Sequence, residues 1–236
     1  LVKGLTNAFF KYEDGKTYEQ YVQPWICGRL GKKSNVVEVM IKTGGAAGEK
    51  GDVTLDMMVR FQGFVPDTPE RVDKVAGKKM RARVSISGMT YKVVEFTASA
   101  SAEWQGRVTF KDVELNRRHR IYVWGQKHPQ RRICDKTPKE NRVGVYRCED
   151  GLITLAKGVN KLDFTGILLL VGDLNIGSGQ DNVVDAFDTT FVRQNFNSRN
   201  QVVLEKADFD LNGVINARDW ALIQASLEVK PGDSLR

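Results

Sequence analysis

The stretch DFDLNGVINARD, residues 208–219, sets side-chain oxygens at intervals that fit neither a helix face nor a strand face. Counted as a twelve-position loop, Asp208, Asp210, Asn212, Asn216 and Asp219 fall at positions 1, 3, 5, 9 and 12, with Gly213 at 6 and Ile215 at 8. A hard cation such as Ca2+ takes about six to eight oxygens at roughly 2.3–2.6 Å, and a twelve-residue loop supplies them in this order, position 7 lending a backbone carbonyl. Val214 holds position 7 here. An apolar residue at position 8 packs such a loop onto a partner, so a second copy is expected. Upstream, GDLNIGSGQDNVVDAFD offers Asp173 and Asn175 at 1 and 3, Asp181 at 5, Val183 at 7, Asp185 at 9 and Asp188 at 12. Residues 176–180 stand where the standard loop has one residue, a four-residue insertion. Such an insertion costs little closure entropy but is expected to loosen the site. Asn182 takes position 6, and asparagine tolerates the left-handed backbone needed there. The plainer reading of both stretches is a pair of Asx-rich turns capping ordinary helices.

Helical patterns follow each loop. Phe187 and Phe191, then Val192 and Phe196, recur at i, i+4 after the first; Trp220, Ile223 and Leu227 recur at i, i+3, i+7 after the second. Two loop–helix units starting 35 residues apart, within residues 171–228, resemble the dockerin module. That resemblance implies two bound Ca2+ ions and docking to a cohesin-like protein partner. In dockerins loop positions 10 and 11 face the cohesin, often as a Ser-Thr pair. Here they are Ala186-Phe187 and Ala217-Arg218, so the calcium fold carries over more directly than the partner.

Ahead of the module the pattern has period two. Val37, Val39 and Ile41 share a face, as do Val53, Leu55, Met57, Val59 and Phe61, and Met80, Ala82, Val84 and Ile86. Further strands are expected at 92–99, 106–112, 120–125, 143–148 and 162–170. Half-buried strands at this spacing predict a mostly β chain, an antiparallel β-sandwich of immunoglobulin or fibronectin-III type, followed by the small α-helical calcium-binding module. The expected divisions are an N-terminal arm or incomplete segment (1–35), the sandwich (36–170) and the module (171–236). The sequences CDKTP, VYRCEDGLITL and NKLDFTGILLLVGDLN are also similar to bacterial secreted or surface proteins in which a sandwich runs straight into a dockerin-like tail. No Gly/Ser/Pro-rich linker separates the two, so they are expected to pack together.

Cys134 and Cys148 bracket a polar stretch and are read as a disulfide, with two reduced thiols as the alternative and Cys27 left over. Disulfide and calcium both suit an extracellular or cell-surface setting. The sequence does not open on Met, as expected of a processed or truncated product. Its longest apolar run, 166–172, is far shorter than the roughly 20 residues a membrane span requires. The net charge of +7 is divided unevenly: residues 171–236 hold six Lys/Arg against ten Asp/Glu, while the rest hold 30 against 19. The densest basic knots are Arg117-Arg118-His119-Arg120 and Arg131-Arg132, without any nucleic-acid-binding motif beside them. Two histidines, His119 and His128, stand far from any triad or zinc spacing, so no catalytic activity is expected. The expected function is structural or adhesive: protein–protein assembly as a cell-surface filament subunit, built from copies of itself, or as a cohesin-type scaffold component. The alternative is a non-catalytic polysaccharide-binding module using Tyr91, Tyr122, Trp124 or Trp104, the last placed in an exposed turn. The aromatic-rich residues 1–35 either fold back on their own chain or add a strand to a neighbour.

Overall fold

The computed structural model describes residues 17–20, 25–26, 29–30, 37–40, 49–64, 75–148, 151, 153–177 and 179–228. The chain divides into two units, Leu1–Gly48 and Glu49–Arg236. In the first, β1 (Thr17–Gln20) pairs antiparallel with β4 (Val37–Met40), and β2 (Trp25–Ile26) pairs with β3 (Arg29–Leu30). The alternating stretch around Val37 is therefore a strand, as its period requires, but its partner is β1. Cys27 and most of the aromatics of residues 1–35 lie outside the described residues.

The second unit opens with seven strands: β5 (Lys50–Phe61), β6 (Lys79–Ile86), β7 (Lys92–Ala98), β8 (Trp104–Glu114), β10 (Ile121–Gly125), β11 (Arg131–Ile133) and β13 (Gly158–Leu169). They follow the order β11-β10-β6-β7-β8-β5-β13, and a short pair, β9 (Arg118–His119) with β12 (Ile153–Thr154), lies outside this sheet. On a flat sheet β10 and β5 would stand about 19 Å apart, four strand spacings. His128, just beyond β10, nevertheless stacks on Phe61 of β5 with ring centroids 4.7 Å apart. The sheet thus folds over on itself as a sandwich. The corner lies between β7 and β8, which pair only at Thr97↔Gln105 and Ala98↔Trp104. Val53, Leu55, Met57, Val59 and Phe61 face inward along β5 and meet Val84, Ile86, Phe96, Ile121 and Val123 in one continuous core. Gly106 on β8 is where the ring of Phe96 lies: a Cβ there would come within 2.6 Å of it.

Two features depart from simple alternation. β13 runs parallel to β5, from Gly158↔Val53 to Leu169↔Phe61, with a register shift between Asp163 and Leu168. Period-two patterning is the same in either direction, so the sequence could not announce this. The strand expected at 143–148 is not one; Arg142 and Val145 make a single isolated bridge. That segment is held by side chains instead of a ladder. The Cys134–Cys148 disulfide, Cα atoms 5.4 Å apart, closes it, and Tyr146 Oη donates to Asp135 Oδ2 (2.6 Å) while accepting from Cys134 N (3.1 Å). Closing a loop of this length stabilises by about 3 kcal/mol in the chain-entropy model. Residues 136–140 also cover the free edge of β13: Asp163 N donates to Lys136 O, Glu140 N to Gly166 O, and Leu168 N to Glu140 Oε1.

Among the described residues three helices follow the sandwich: α1 (Ala186–Gln194), α2 (Gln201–Ala207) and α3 (Ala217–Glu228). They enclose a second core of Val171, Leu174, Val192, Ala207, Phe209, Ile215 and Ile223. Gln62, at the end of β5, joins the two cores. Its Oε1 accepts from Val171 N (2.9 Å) and Ser226 Oγ (2.7 Å), and its Nε2 donates to Leu222 O (3.3 Å). Gly63, at φ 96°, has no room for a side chain, because a Cβ there would lie 2.8 Å from Phe209 O. Replacing Gln62 by Ala leaves the buried Val171 N–H without its acceptor, while Ser226 Oγ keeps Leu222 O (3.1 Å), a cost of about 1–3 kcal/mol. Calorimetry of Gln62→Ala is expected to lower the melting temperature and split the unfolding of sandwich and helices into two transitions.

Candidate metal centre

The two loops repeat one hydrogen-bond pattern. The carboxylate at position 12 accepts from the backbone N–H groups of positions 2 and 9: Asp219 from Phe209 (2.7 Å) and Asn216 (2.9 Å), Asp188 from Leu174 and Asp185 (both 3.0 Å). Position 1 accepts from position 6, Asp208 from Gly213 (2.9 Å) and Asp173 from Asn182 (3.2 Å). Position 5 accepts from position 7, Asn212 from Val214 (3.0 Å) and Asp181 from Val183 (2.9 Å). Position 9 accepts from position 11, Asn216 from Arg218 and Asp185 from Phe187, both at 2.7 Å. Position 6 is left-handed in both, φ 85° at Gly213 and 67° at Asn182. Asp185 is also the N-cap of α1 in a capping box with Asp188, so the loop and helix start are one construction.

Among the described residues a group of three carboxylates converges in the second loop only. Ligand atoms of Asp208, Asp210 and Asp219 lie within 4.8 Å of one another. In the first loop Asp173, Asp181, Asp185 and Asp188 line a cavity of 280 Å³. Asn175 is exposed beside it. Burial, with the charges of Asp188 and Asp181 added, pushes the Asp173 carboxyl up to about 7. Burial pushes Asp188 to about 6 against the backbone N–H groups that favour its charged form. Asp210 is likewise raised to about 6 by burial and by Asp219, although Arg218 Nε stands 3.0 Å from its Oδ2. Asp219 is raised by burial as well. Like charges held this close and this dry favour either protons or a cation, and an all-oxygen set suits a hard one.

The insertion in the first loop is tied down by Gln180. Its Nε2 donates to Asp173 O and to Gly125 O of the sandwich, each at 2.8 Å, and its Oε1 accepts from Arg83 (3.3 Å). Asn182 Oδ1 adds a bond from Gln130 N (3.0 Å). Beside the second loop, Lys127 is buried and its Nζ donates to Leu204 O (3.2 Å) and Asp208 O (2.5 Å), a cation at the C-terminal end of α2. Neither Gln180 nor Lys127 carries a pattern by which sequence reasoning could single it out. Ile215 is fully buried in the same core that Val184 packs against, but its main chain bonds to Asn197 and Ser198.

The residues at positions 10 and 11 separate into two kinds. Phe187 is 79% exposed and Ala186 is exposed beside it. Arg218 instead turns inward to Asp210 and to Gly63 O (3.4 Å) on the sandwich, while Ala217 stays exposed. Trp104, expected on the surface, is completely buried against Phe61 and Phe64, because it opens β8 with its side chain on the inward face. His119 is buried with Nε2 donating to Glu114 O (2.6 Å), and His128 is buried beside Phe61.

Residues 171–228 match the family model of the dockerin type I domain, which supports a dockerin module at this end of a mostly β chain. No curated protein matches the chain. Among solved structures, an N-terminal interface mutant of a type II cohesin–X–dockerin complex from Acetivibrio cellulolyticus is similar at 16% identity and a TM-score of 0.42. That match covers 74% of this chain and 94% of the other.

Carboxylates raised in the folded state mean that, without a cation, the fold binds more protons than the unfolded chain between about pH 4 and 7. Their contribution to stability therefore falls as pH rises through that window. His128, pushed down to about 3 by burial, adds the opposite slope below pH 6.5. It cancels when the stabilisation by calcium is read as a difference at each pH. That increment in melting temperature, calcium against chelator, is expected to be larger at pH 7.5 than at pH 5.5. Equal increments would show that the loop carboxylates do not exchange protons for the ion.

Proposed function

We propose that Asp173, Asn175, Asp181, Val183, Asp185 and Asp188 hold one Ca2+ and that Asp208, Asp210, Asn212, Val214, Asn216 and Asp219 hold a second. On this reading the chain is an extracellular, calcium-stabilised structural or adhesion protein, non-catalytic, that assembles through protein–protein contacts. The observation that carries it is the hydrogen-bond pattern repeated between the loops around buried, proton-hungry carboxylates. The disulfide supports the extracellular setting, and the immunoglobulin- or fibronectin-like reading of the sandwich rests on its seven alternating strands.

The assembly partner is a cohesin-like module, reached through the first repeat. Phe187 and, 52% exposed, Val183 present apolar surface there, whereas Arg218 of the second repeat is engaged by its own chain. The companion reading, a filament of copies of this chain, uses the same exposed face. A carbohydrate-binding role keeps one observation in its favour: Tyr91, 48% exposed, stands edge-on to Trp124 at 5.4 Å with Arg83 over its ring.

Titration calorimetry is expected to find two Ca2+ per chain, and Asp219→Asn to weaken one site by more than about tenfold, the loss of a charged ligand. Chelation should lower the melting temperature, since calcium at 100 times its Kd stabilises by about 2.7 kcal/mol per site. An unchanged melting temperature rejects the calcium reading. Surface capture on cohesin modules, with and without calcium, and electron microscopy of the purified chain then test assembly. If neither capture nor ordered polymers occur in calcium, the assembly reading fails; loss of capture in Phe187→Ala assigns the first repeat.

A further inference from the structure

The basic knot Arg117-Arg118-His119-Arg120 is not absorbed by the calcium loops or by any packing between sandwich and helices. The fold brings it to the end of the sandwich away from the helices. β5 begins there at Lys50 and ends at Phe61, beside Gln62 and the helical core, roughly 36 Å away at the rise of a strand. At that far end Lys50, Arg117, Arg118 and Arg120 line a cavity of 640 Å³, floored by the turn Ser87–Met89.

The charges in this cavity do not cancel. Arg117 is paired with Glu114 at 2.8 Å, and Asp112 is the other acid of the lining. Among the described residues Lys50, Arg118 and Arg120 make no ion pair. Arg120 is set most firmly: its backbone N donates to Ser87 Oγ (3.3 Å), and its carbonyl accepts from Ser87 N (2.9 Å). Its Nε is buried with no hydrogen-bond partner. A buried guanidinium donor left unpaired costs free energy, so its retention is informative. His119 is turned away from a ligand, buried with its Nε2 on Glu114 O.

We infer that this cavity is an oxyanion-binding site, with the Arg120 guanidinium as the fixed donor and Lys50 and Arg118 as mobile cations closing on a carboxylate or sulfate group. A guanidinium offers such groups two parallel N–H donors, and the size is that of a site for a small ligand or a single sugar unit. The same chemistry serves a free inorganic oxyanion and an acidic group carried on a saccharide. The site is independent of the calcium loops, and chelation should not abolish it.

The test is calorimetric titration of the full chain with sodium sulfate, with succinate and with a galacturonate oligosaccharide, each against sodium chloride at equal ionic strength. Saturable binding of sulfate or succinate beyond chloride is expected. Tighter binding of the oligosaccharide assigns the group to a saccharide; equal or weaker binding assigns a free ion. Arg120→Gln should weaken binding about tenfold, the loss of one charge-assisted pair. Arg118→Gln, at an exposed position, should weaken it without affecting the melting temperature, which covers the case in which Arg120→Gln fails to fold. Binding no stronger than chloride, or binding unchanged in Arg118→Gln and in Arg120→Gln if that variant folds, overturns the inference.

Discussion

The carboxylate at loop position 12 is the constraint on which the helical module depends. Asp188 and Asp219 each close a loop by accepting from positions 2 and 9, and each lies in the first turn of the helix that follows. Two backbone donors per carboxylate settle where its oxygens point, and negative charge is favourable at a helix start. What these bonds do not settle is the remaining charge: Asp173, Asp188 and Asp210 hold their protons well above the ordinary carboxylate range. The loops are therefore shaped by their own hydrogen bonds, and on the calcium reading proposed above an ion would relieve repulsion in a geometry already made.

The duplication is symmetric in its loops and asymmetric in its use. The second repeat spends its outer face on the sandwich: Ser226 and Leu222 meet Gln62, and Arg218 reaches Gly63 O. The first repeat is held from behind by Gln180 and Asn182, which leaves Phe187 in solvent. Of the two repeated faces, the second is thereby engaged by the chain itself and the first is left open. Lys127 strengthens the bias, since a buried cation on the carbonyls of Leu204 and Asp208 binds the start of the second loop to the sandwich.

The loops were legible because their side-chain oxygens recur at the same spacings and close the same hydrogen bonds, and the strands because burial demands alternation. Pairing partners were less so. Nothing in Val37, Val39 and Ile41 names β1 as a neighbour, and nothing in the pattern of β13 tells parallel from antiparallel. Trp104 was misplaced because a turn signal, AEWQG, contains it, whereas the strand begins at Trp104, two residues earlier than expected, and points the ring inward. The segment from Val143 to Cys148 alternates, yet a disulfide and the Tyr146 hydroxyl supply the tie that a ladder would otherwise provide. Gln180 was invisible since an insertion reads as slack until its side chain is seen to bridge the loop and the sandwich.

If the loops take calcium as proposed, the charge balance along the second unit changes with it. The helical end is acidic only through residues committed to the loops, and two divalent ions would bring it near neutrality, whereas the cations around Arg120 sit at the opposite end of the sandwich. Without calcium, opposite charges at the two ends favour attraction between one copy's loops and another's basic end, a weak contact at physiological salt, where the screening length is about 8 Å. With calcium that attraction fades while the basic end keeps its charge. Calcium would then do more than stiffen the module: it would leave the apolar face around Phe187 and the basic cavity around Arg120 as separate surfaces of the second unit.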